Sequence, residues 1–125
     1  MKVLTDTHSL VWALSNPQLL SPAARRVLAE GNVSASVANL WELCLKAGKK
    51  EALLLDPLPW WERYVVTSGI EAIPIRIAHV MALGSLAEIH KDPFDRILVA
   101  QAMVERLPLV TKDSHLAKYG IEVIW

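Results

Sequence analysis

The chain has little cysteine, no long apolar run and no excess of charge of either sign. Its one cysteine, Cys44, cannot form an intrachain disulfide, which favours a reducing compartment such as the cytoplasm. No uncharged apolar stretch approaches the roughly 20 residues that cross a bilayer. Residues 1–6 also lack the apolar core of a signal peptide. The sequence therefore predicts a cytoplasmic protein without a membrane segment.

The net charge is zero, from 13 acidic and 13 basic residues. This balance argues against a protein that coats nucleic acid by charge alone, since such proteins are usually strongly basic. An enzyme that meets RNA briefly needs only a local basic rim. The length of 125 residues predicts a single domain, residues 1–125, with a proper core. Apolar residues make up 53% of the chain and include five tryptophans, which indicates either surfaces covered by other chains or a tryptophan-rich core.

Short apolar stretches alternate with segments of helical periodicity along the chain. The predicted strands are residues 3–4, 33–35, 70–73, 108–110 and 122–124. The predicted helices are residues 7–14, 22–30, 37 to about 48, 60–67, 75–86 and 92–106, with a short helical turn at 114–118. Strands that alternate with helices form βαβ units. The pattern predicts an α/β fold with a parallel sheet covered on both faces.

Four carboxylates lie just beyond predicted strands. They are Asp6 after the first strand, Glu42 on the helix after the second, Asp95 in the first turn of helix 92–106, and Asp113 after the fourth strand. The carboxyl ends of parallel strands share one edge of the sheet, and ligands bind there. Four acids at one point repel by roughly 3 kcal/mol per pair at about 5 Å and an effective dielectric near 20. Mg²⁺ or Mn²⁺ relieves such repulsion and promotes phosphodiester cleavage, so the acids predict a metal-dependent nuclease.

Each acid also has an ordinary structural role open to it. Asp6, Asp92 and Asp113 precede helices and are suited to cap them. Glu42 and Lys46 stand at i and i+4, in the favourable order for a helix ion pair. The two interpretations are compatible, because a carboxylate at a helix N-terminus can still bind a metal.

Four segments in order carry a resemblance to a known family. They are Leu4-Thr5-Asp6-Thr7-His8, Ser36-Val37-Ala38-Asn39-Leu40-Trp41-Glu42, His90-Lys91-Asp92-Pro93-Phe94-Asp95-Arg96 and Thr111-Lys112-Asp113. Together they resemble the motifs of PIN-domain ribonucleases of the VapC toxin family, and the match runs from residue 2 to residue 125. The resemblance implies a PIN-like three-layer α/β/α sandwich with about five strands.

The same resemblance implies an activity, a cofactor and partners. It implies an endoribonuclease that uses Mg²⁺ or Mn²⁺ and is the toxin of a VapBC-type toxin–antitoxin pair. The expected partners are an RNA substrate, an antitoxin of VapB type and a second copy of the chain in a homodimer. Asp6, Glu42, Asp95 and Asp113 are expected to be both catalytic and metal-binding. The family pattern selects Asp95 over its neighbour Asp92, which then caps the helix or supports the site.

Further polar residues flank these acids. Thr111 and Ser36 are candidates to orient carboxylates through their hydroxyls, with strand-end or cap hydrogen bonds as the alternative. The basic residues that could meet phosphates are His8, Lys46, His90, Lys91, Arg96 and Lys112. Among them Arg96 is the expected RNA contact.

Two apolar features lead to further expectations. Cys44 shares a helical stripe with Trp41, and a buried structural thiol is expected there rather than a nucleophile. Apolar faces for the antitoxin are expected on two segments. The first helix carries Leu10, Val11 and Leu14, and the predicted helix 60–67 carries Trp60, Trp61 and Tyr64.

Two other functions stay open. A receiver-like phosphotransfer domain also clusters acids at strand ends, but it needs paired acids near the first strand, where this chain has only Asp6. A catalytically inactive PIN-like module that binds RNA or protein is the non-enzyme alternative. The complete set of acids argues against that module, because a binding protein gains nothing from crowded carboxylates.

Overall fold

The computed structural model describes all residues, 1–125, and contains one sheet of five parallel strands. The strands are β1 Lys2–Thr5, β2 Asn32–Ser36, β3 Glu71–Ile73, β4 Leu109–Val110 and β5 Val123–Ile124. Their order across the sheet is β3-β2-β1-β4-β5. The register pairs Val3 with Val33 and Leu4 with Leu109. The predicted parallel sheet of about five strands is confirmed.

Helices connect the strands. They are α1 Thr7–Ser15, α2 Pro22–Glu30, α3 Val37–Lys46, α4 Pro57–Trp60, α5 Ile77–Gly84 and α6 Pro93–Glu105. A π-helical segment at Trp61–Val66 continues α4, and 3-10 turns lie at Pro17–Leu19 and Ser114–Tyr119. The predicted helix 75–86 proves shorter at both ends. It begins later because Arg76 stays extended and donates its backbone N–H to Nδ1 of His79 at 2.9 Å.

Successive residues of a strand point to opposite faces of the sheet, and helices cover both faces. On one face, Leu4 of β1 packs in a cluster with Leu98 of α6. On the other face, its neighbour Val3 packs in a cluster with Ala24 of α2. Helices therefore form a layer on each side of the sheet, and the predicted three-layer α/β/α arrangement is confirmed.

The strand order produces a crevice beside β1. The chain builds the sheet from β1 outward through β2 to β3, and then returns to place β4 on the other side of β1. The backbone N–H of Asp6 donates to the carbonyl of Val110 at 3.0 Å, which ties the carboxyl ends of β1 and β4 together. Ligands of open α/β sheets bind at this kind of topological switch point.

The expected apolar faces for an antitoxin are partly wrong. Leu10, Val11 and Trp61 are buried and form one core cluster with Leu43 of α3. These side chains are buried in the protein's own core, because α1 and the π-helical segment pack against the same part of the sheet. Tyr64 alone of the named aromatic residues is exposed.

The expectation of a buried Cys44 is also wrong, because this thiol is exposed. Trp41 on the same side of α3 is 54% exposed. The helix instead buries a stripe that contains the polar residues Asn39 and Glu42 beside Leu43. Polar partners from α1 make that orientation favourable. No helix in the structure combines the length and the apolar character required to cross a membrane.

Candidate active site

A cavity of about 490 Å³ opens at the carboxyl edge of the sheet and gathers the predicted acids. Its lining consists of Asp6, Thr7, His8, Trp12, Glu42, Lys46, Asp92, Asp95, Thr111, Lys112 and Asp113. All four acids proposed from the sequence lie on this one cavity, together with Asp92 and Thr111. Ser36 and Arg96 do not line it. The residues meet here because β1, α3, α6 and β4 all deliver side chains to the same edge.

Asp6 and Asp113 follow the two strands that flank the crevice. Asp6 caps α1, with its Oδ1 accepting the backbone N–H of Ser9 at 2.8 Å, and its second oxygen has no hydrogen-bond partner in the protein. Asp113 caps the turn that follows β4, with its Oδ1 accepting the backbone N–H of His115 at 3.0 Å. Thr111 accepts the backbone N–H of Asp113 at 3.1 Å and so fixes its main chain. Capping and an open carboxylate edge therefore coexist, as expected.

Hydrogen bonds also set the charge of Asp113. Burial raises the pKa of this carboxyl, but the backbone N–H of His115 and the rings of His90 and His115 together hold the pKa below its ordinary value. Asp113 is therefore anionic throughout the physiological range.

Glu42 lies in the interior of the site and is held from two elements. Thr7 of α1 donates its hydroxyl to Oε1 at 2.5 Å, and Lys46 contacts Oε2 at 2.6 Å. Asn39 donates in turn to the hydroxyl oxygen of Thr7 at 3.1 Å. The hydrogen bond to Glu42 raises the pKa of Lys46, against the opposing effect of burial. The ammonium therefore stays charged beside the carboxylate.

Ser36 contributes through the start of α3 rather than through the cavity. Its hydroxyl accepts the backbone N–H of Ala38 at 3.0 Å, and its own N–H donates to Oδ1 of Asn39 at 2.7 Å. Asn39 is thereby fixed for its contact with Thr7. Sequence reasoning did not single out Thr7 or Asn39, although Thr7 directly follows Asp6 and Asn39 stands three residues after the capping Ser36.

Asp92 and Asp95 divide two roles between them. Asp92 caps α6, with its Oδ1 accepting the backbone N–H groups of Phe94 at 2.8 Å and Asp95 at 3.1 Å. Asp95 uses no oxygen for capping, and its carboxylate is within 3.5 Å of the His90 ring. The aromatic contact between Trp41 and Phe94, with ring centroids 4.9 Å apart, packs α3 against α6 and sets the spacing of the acids they carry.

The pKa of Asp95 shows the effect of the crowded carboxylates in the cavity. Burial, together with the carboxylates of Asp92, Asp6 and Glu42, raises the pKa of Asp95 to about 7 against the opposing effect of His90. The cavity therefore holds more negative charge than its own cations neutralise. Hard carboxylate oxygens in this number suit Mg²⁺ or Mn²⁺. The donor set fits a divalent cation.

Two of these acids, Asp95 and Asp113, lie close to the ring of His90. Ligand atoms of His90, Asp95 and Asp113 all lie within 4.8 Å of one another. In the sequence, His90 is one of several basic neighbours of the acids. Its place between two of them depends on the loop before α6, which periodicity does not predict.

Arg96 points away from the cavity. Its guanidinium donates to the carbonyls of Ala87 at 2.9 Å and His90 at 3.3 Å, and to the hydroxyl of Tyr119 at 3.2 Å. These bonds brace the loop that precedes α6. Lys46 and the exposed His8 and Lys112 are the basic groups that do line the cavity.

Comparison with known proteins places the chain among characterised relatives. Residues 3–122 match the model of the PIN domain. The chain is 34% identical over 122 residues to Ribonuclease VapC22 of Mycobacterium tuberculosis (strain ATCC 25618 / H37Rv), covering 94% of this chain and 91% of the relative.

Two solved structures have a similar fold. One is DNA-bound VapBC from Salmonella typhimurium, with a TM-score of 0.73, 19% identity and coverage of 98% of this chain and 96% of that one. The other is VapBC2 from Rickettsia felis bound to a DNA fragment from its promoter, with a TM-score of 0.68, 18% identity and coverage of 98% and 97%.

Proposed function

Because the chain belongs to the PIN-domain family, in its VapC branch, we propose that it is a divalent-metal-dependent endoribonuclease and the toxin of a VapBC-type pair. The observation that carries this proposal is the gathering of Asp6, Glu42, Asp95 and Asp113 on one cavity. RNA as the substrate is supported by the relative that is named as a ribonuclease. Residues 1–125 would act as a single domain in the cytoplasm.

We assign the metal site to the same four acids, with Mg²⁺ or Mn²⁺ as the cation. Such a cation lowers the pKa of a bound water and stabilises charge on the reacting phosphate. Asp6 and Asp95 line the cavity; capping uses one oxygen of Asp6 and neither oxygen of Asp95. Thr7 and Lys46 hold the two oxygens of Glu42 in place.

The basic groups of the cavity serve the substrate. Lys46, Lys112 and His8 line the cavity beside the acids and can contact phosphates that flank the scissile bond. With the cation bound, a water at the carboxylate cluster would attack the phosphorus atom in line and release a proton to solvent. The bond from phosphorus to the 3′ oxygen would break, and the 3′ oxygen would take up a proton. The products are then a 5′-phosphate and a 3′-hydroxyl.

Exposed apolar side chains on two surfaces support the proposal of two protein partners, a second copy of the chain and an antitoxin. Ile77 is 80% exposed and Met81, one turn later on α5, is 72% exposed. We assign this α5 face to a homodimer, because a free monomer gains nothing by exposing it. The cognate antitoxin, of VapB type, would cover a separate apolar surface near Trp60 and Tyr64.

Expression in cells tests the toxin assignment. Induction of the wild-type chain should arrest growth, and co-expression of the antitoxin from the adjacent reading frame should restore it. The Asp6→Asn variant, expressed to the same level, should leave growth unaffected. Harmless accumulation of the soluble wild-type chain would overturn the proposal.

A test with purified protein separates the enzyme from the inactive binding module. The wild-type chain should cleave single-stranded RNA in Mg²⁺ or Mn²⁺ and lose this activity in excess EDTA. Binding of RNA without any cleavage, in every metal, would favour the inactive module instead. The crowding of acids around Asp95 disfavours that outcome.

A further inference from the structure

The His90 ring joins two acids that come from different elements. Its Nε2 lies 3.0 Å from Oδ2 of Asp113, which follows β4, and 3.5 Å from Oδ2 of Asp95, which belongs to α6. The ring is three-quarters buried, with 25% of its side chain exposed. It is thus placed between two carboxylates that would otherwise repel each other directly.

The other ring nitrogen determines which form of the imidazole is present. The backbone N–H of Asp92 donates to Nδ1 of His90 at 3.1 Å. A backbone N–H can only donate, so Nδ1 must present its lone pair. The neutral ring then carries its hydrogen on Nε2 and donates it to Oδ2 of Asp113. A metal ligand needs the lone pair of Nε2, which this tautomer does not offer.

The main chain of His90 is fixed as well. Its N–H donates to the hydroxyl of Tyr119 at 2.8 Å, and its carbonyl accepts from Arg96 at 3.3 Å. Arg96 also donates to the same Tyr119 hydroxyl at 3.2 Å. The ring is therefore held at both of its nitrogens and through its backbone. Arg96 contributes to the site by fixing the main chain of His90.

We propose that His90 is a positioning residue of the metal centre, which orients Asp113 by donating its Nε2–H, lies beside Asp95, and does not itself bind the metal. This inference rests on the proposed function. A fixed donor holds the Asp113 oxygen in one arrangement beside Asp95 before the cation arrives. Partners of this kind change metal affinity by about 10- to 100-fold when they are removed.

Two substitutions of His90 test the roles of its two ring nitrogens separately. In His90→Gln, the amide N–H reaches the position of Nε2 and can still donate to Asp113. In His90→Asn, the shorter side chain can accept from Asp92 at the position of Nδ1 but cannot reach Asp113. His115→Asn is the matched control, because His115 contacts the same carboxylate at 3.2 Å from an exposed position.

Calorimetric titration with Mn²⁺ gives the first readout. We expect His90→Gln and His115→Asn to bind within about threefold of the wild-type chain and His90→Asn to bind about 10- to 100-fold more weakly. Equal weakening in the Gln and Asn variants would overturn the proposal. If His90→Asn does not fold, the Gln variant and the spectra of the wild-type chain still decide.

Two spectra distinguish a donor from a ligand. Pulsed electron paramagnetic resonance of the Mn²⁺-loaded chain should show no directly coordinated ¹⁴N, and a strong ¹⁴N coupling that disappears in His90→Gln would make His90 a ligand. Long-range ¹H–¹⁵N spectra of the metal-free chain in mildly alkaline buffer should show the Nε2–H tautomer. An Nδ1–H tautomer would contradict the inference. Absence of Mn²⁺ binding by the wild-type chain would instead contradict the proposed function.

Discussion

Thr7 donates its hydroxyl hydrogen to Oε1 of Glu42 at 2.5 Å and thereby joins the start of α1 to the interior of α3. The direction of the bond is fixed because Asn39 donates to the Thr7 oxygen from the other side. Both Thr7 and Glu42 are buried, and Lys46 occupies the second oxygen of Glu42. The orientation of this acid therefore depends on α1 as much as on its own helix.

Replacement of Thr7 by valine should damage both stability and metal binding. The change keeps the shape of the side chain but leaves Oε1 of Glu42 without its donor. Loss of a buried hydrogen bond to a charged group lowers the free energy of unfolding by about 1.5–3 kcal/mol, which urea denaturation measures. Thr7→Ser keeps the hydroxyl and should retain Mn²⁺ affinity, so equal affinities in the Val and Ser variants would contradict this role.

The two aspartates of the α6 N-terminus should respond differently to substitution by asparagine. Asp95→Asn removes a carboxylate from the cavity and should abolish RNA cleavage while leaving the circular dichroism spectrum unchanged. Asp92→Asn keeps a capping side chain, and asparagine is as good an N-cap as aspartate, so most activity should remain. Full activity in Asp95→Asn with loss in Asp92→Asn would show that the roles are reversed.

The stability of the metal-free protein should decrease as the pH rises through the window set by Asp95. The folded-state pKa of about 7 lies above the ordinary value of 3.8, so the folded state binds this proton more tightly than the unfolded state does. The stabilisation is complete below the ordinary pKa and is lost as the pH approaches about 7. In EDTA, Asp95→Asn should therefore match the wild-type Tm at acidic pH and exceed it at neutral pH.

Added Mg²⁺ provides the control for this titration. The cation should raise the wild-type Tm at neutral pH, because it compensates the carboxylates, and should have a smaller effect on Asp95→Asn. A wild-type Tm that rises with pH relative to the variant would contradict the raised pKa of Asp95.

The exposed face of α5 should hold two copies of the chain together. Met81→Glu places a charge in the centre of that face and should convert a dimer into a monomer in size-exclusion chromatography with light scattering. Leu19→Glu is the control, because Leu19 is 48% exposed but lies in the 3-10 turn after α1. A dimer that survives Met81→Glu and is lost in Leu19→Glu would place the interface elsewhere.

Much of the fold follows from local signals in the sequence. Ser21 with Pro22 and the capping Ser36 mark the starts of α2 and α3 where the structure has them. The rule that parallel strands end at one edge was sufficient to place the four acids together. These signals are local or depend only on topology, and that is why they can be read from the chain.

Features that depend on how two helices approach each other were not predictable in the same way. The apolar stripe of α3 that carries Trp41 indicates a buried Cys44, whereas the structure exposes both residues and buries Asn39 and Glu42. A polar network with Thr7 of α1 outweighs the apolar stripe. The position of His90 was hidden for a similar reason, since it depends on loop contacts rather than on periodicity.

The chemistry at the new RNA ends tests the central claim most directly. Attack by a water at the carboxylate cluster predicts 5′-phosphate and 3′-hydroxyl ends, in Mg²⁺ or Mn²⁺ and not in EDTA. A metal-free ribonuclease uses the RNA 2′-hydroxyl with a general acid and base, often two histidines, and leaves a 2′,3′-cyclic phosphate. The measurement is digestion of the cleaved RNA by a 5′-monophosphate-dependent exonuclease, with mass spectrometry of the 3′ ends. Degradation by that exonuclease is the predicted result, and undiminished cleavage in EDTA or cyclic phosphate ends would contradict the account.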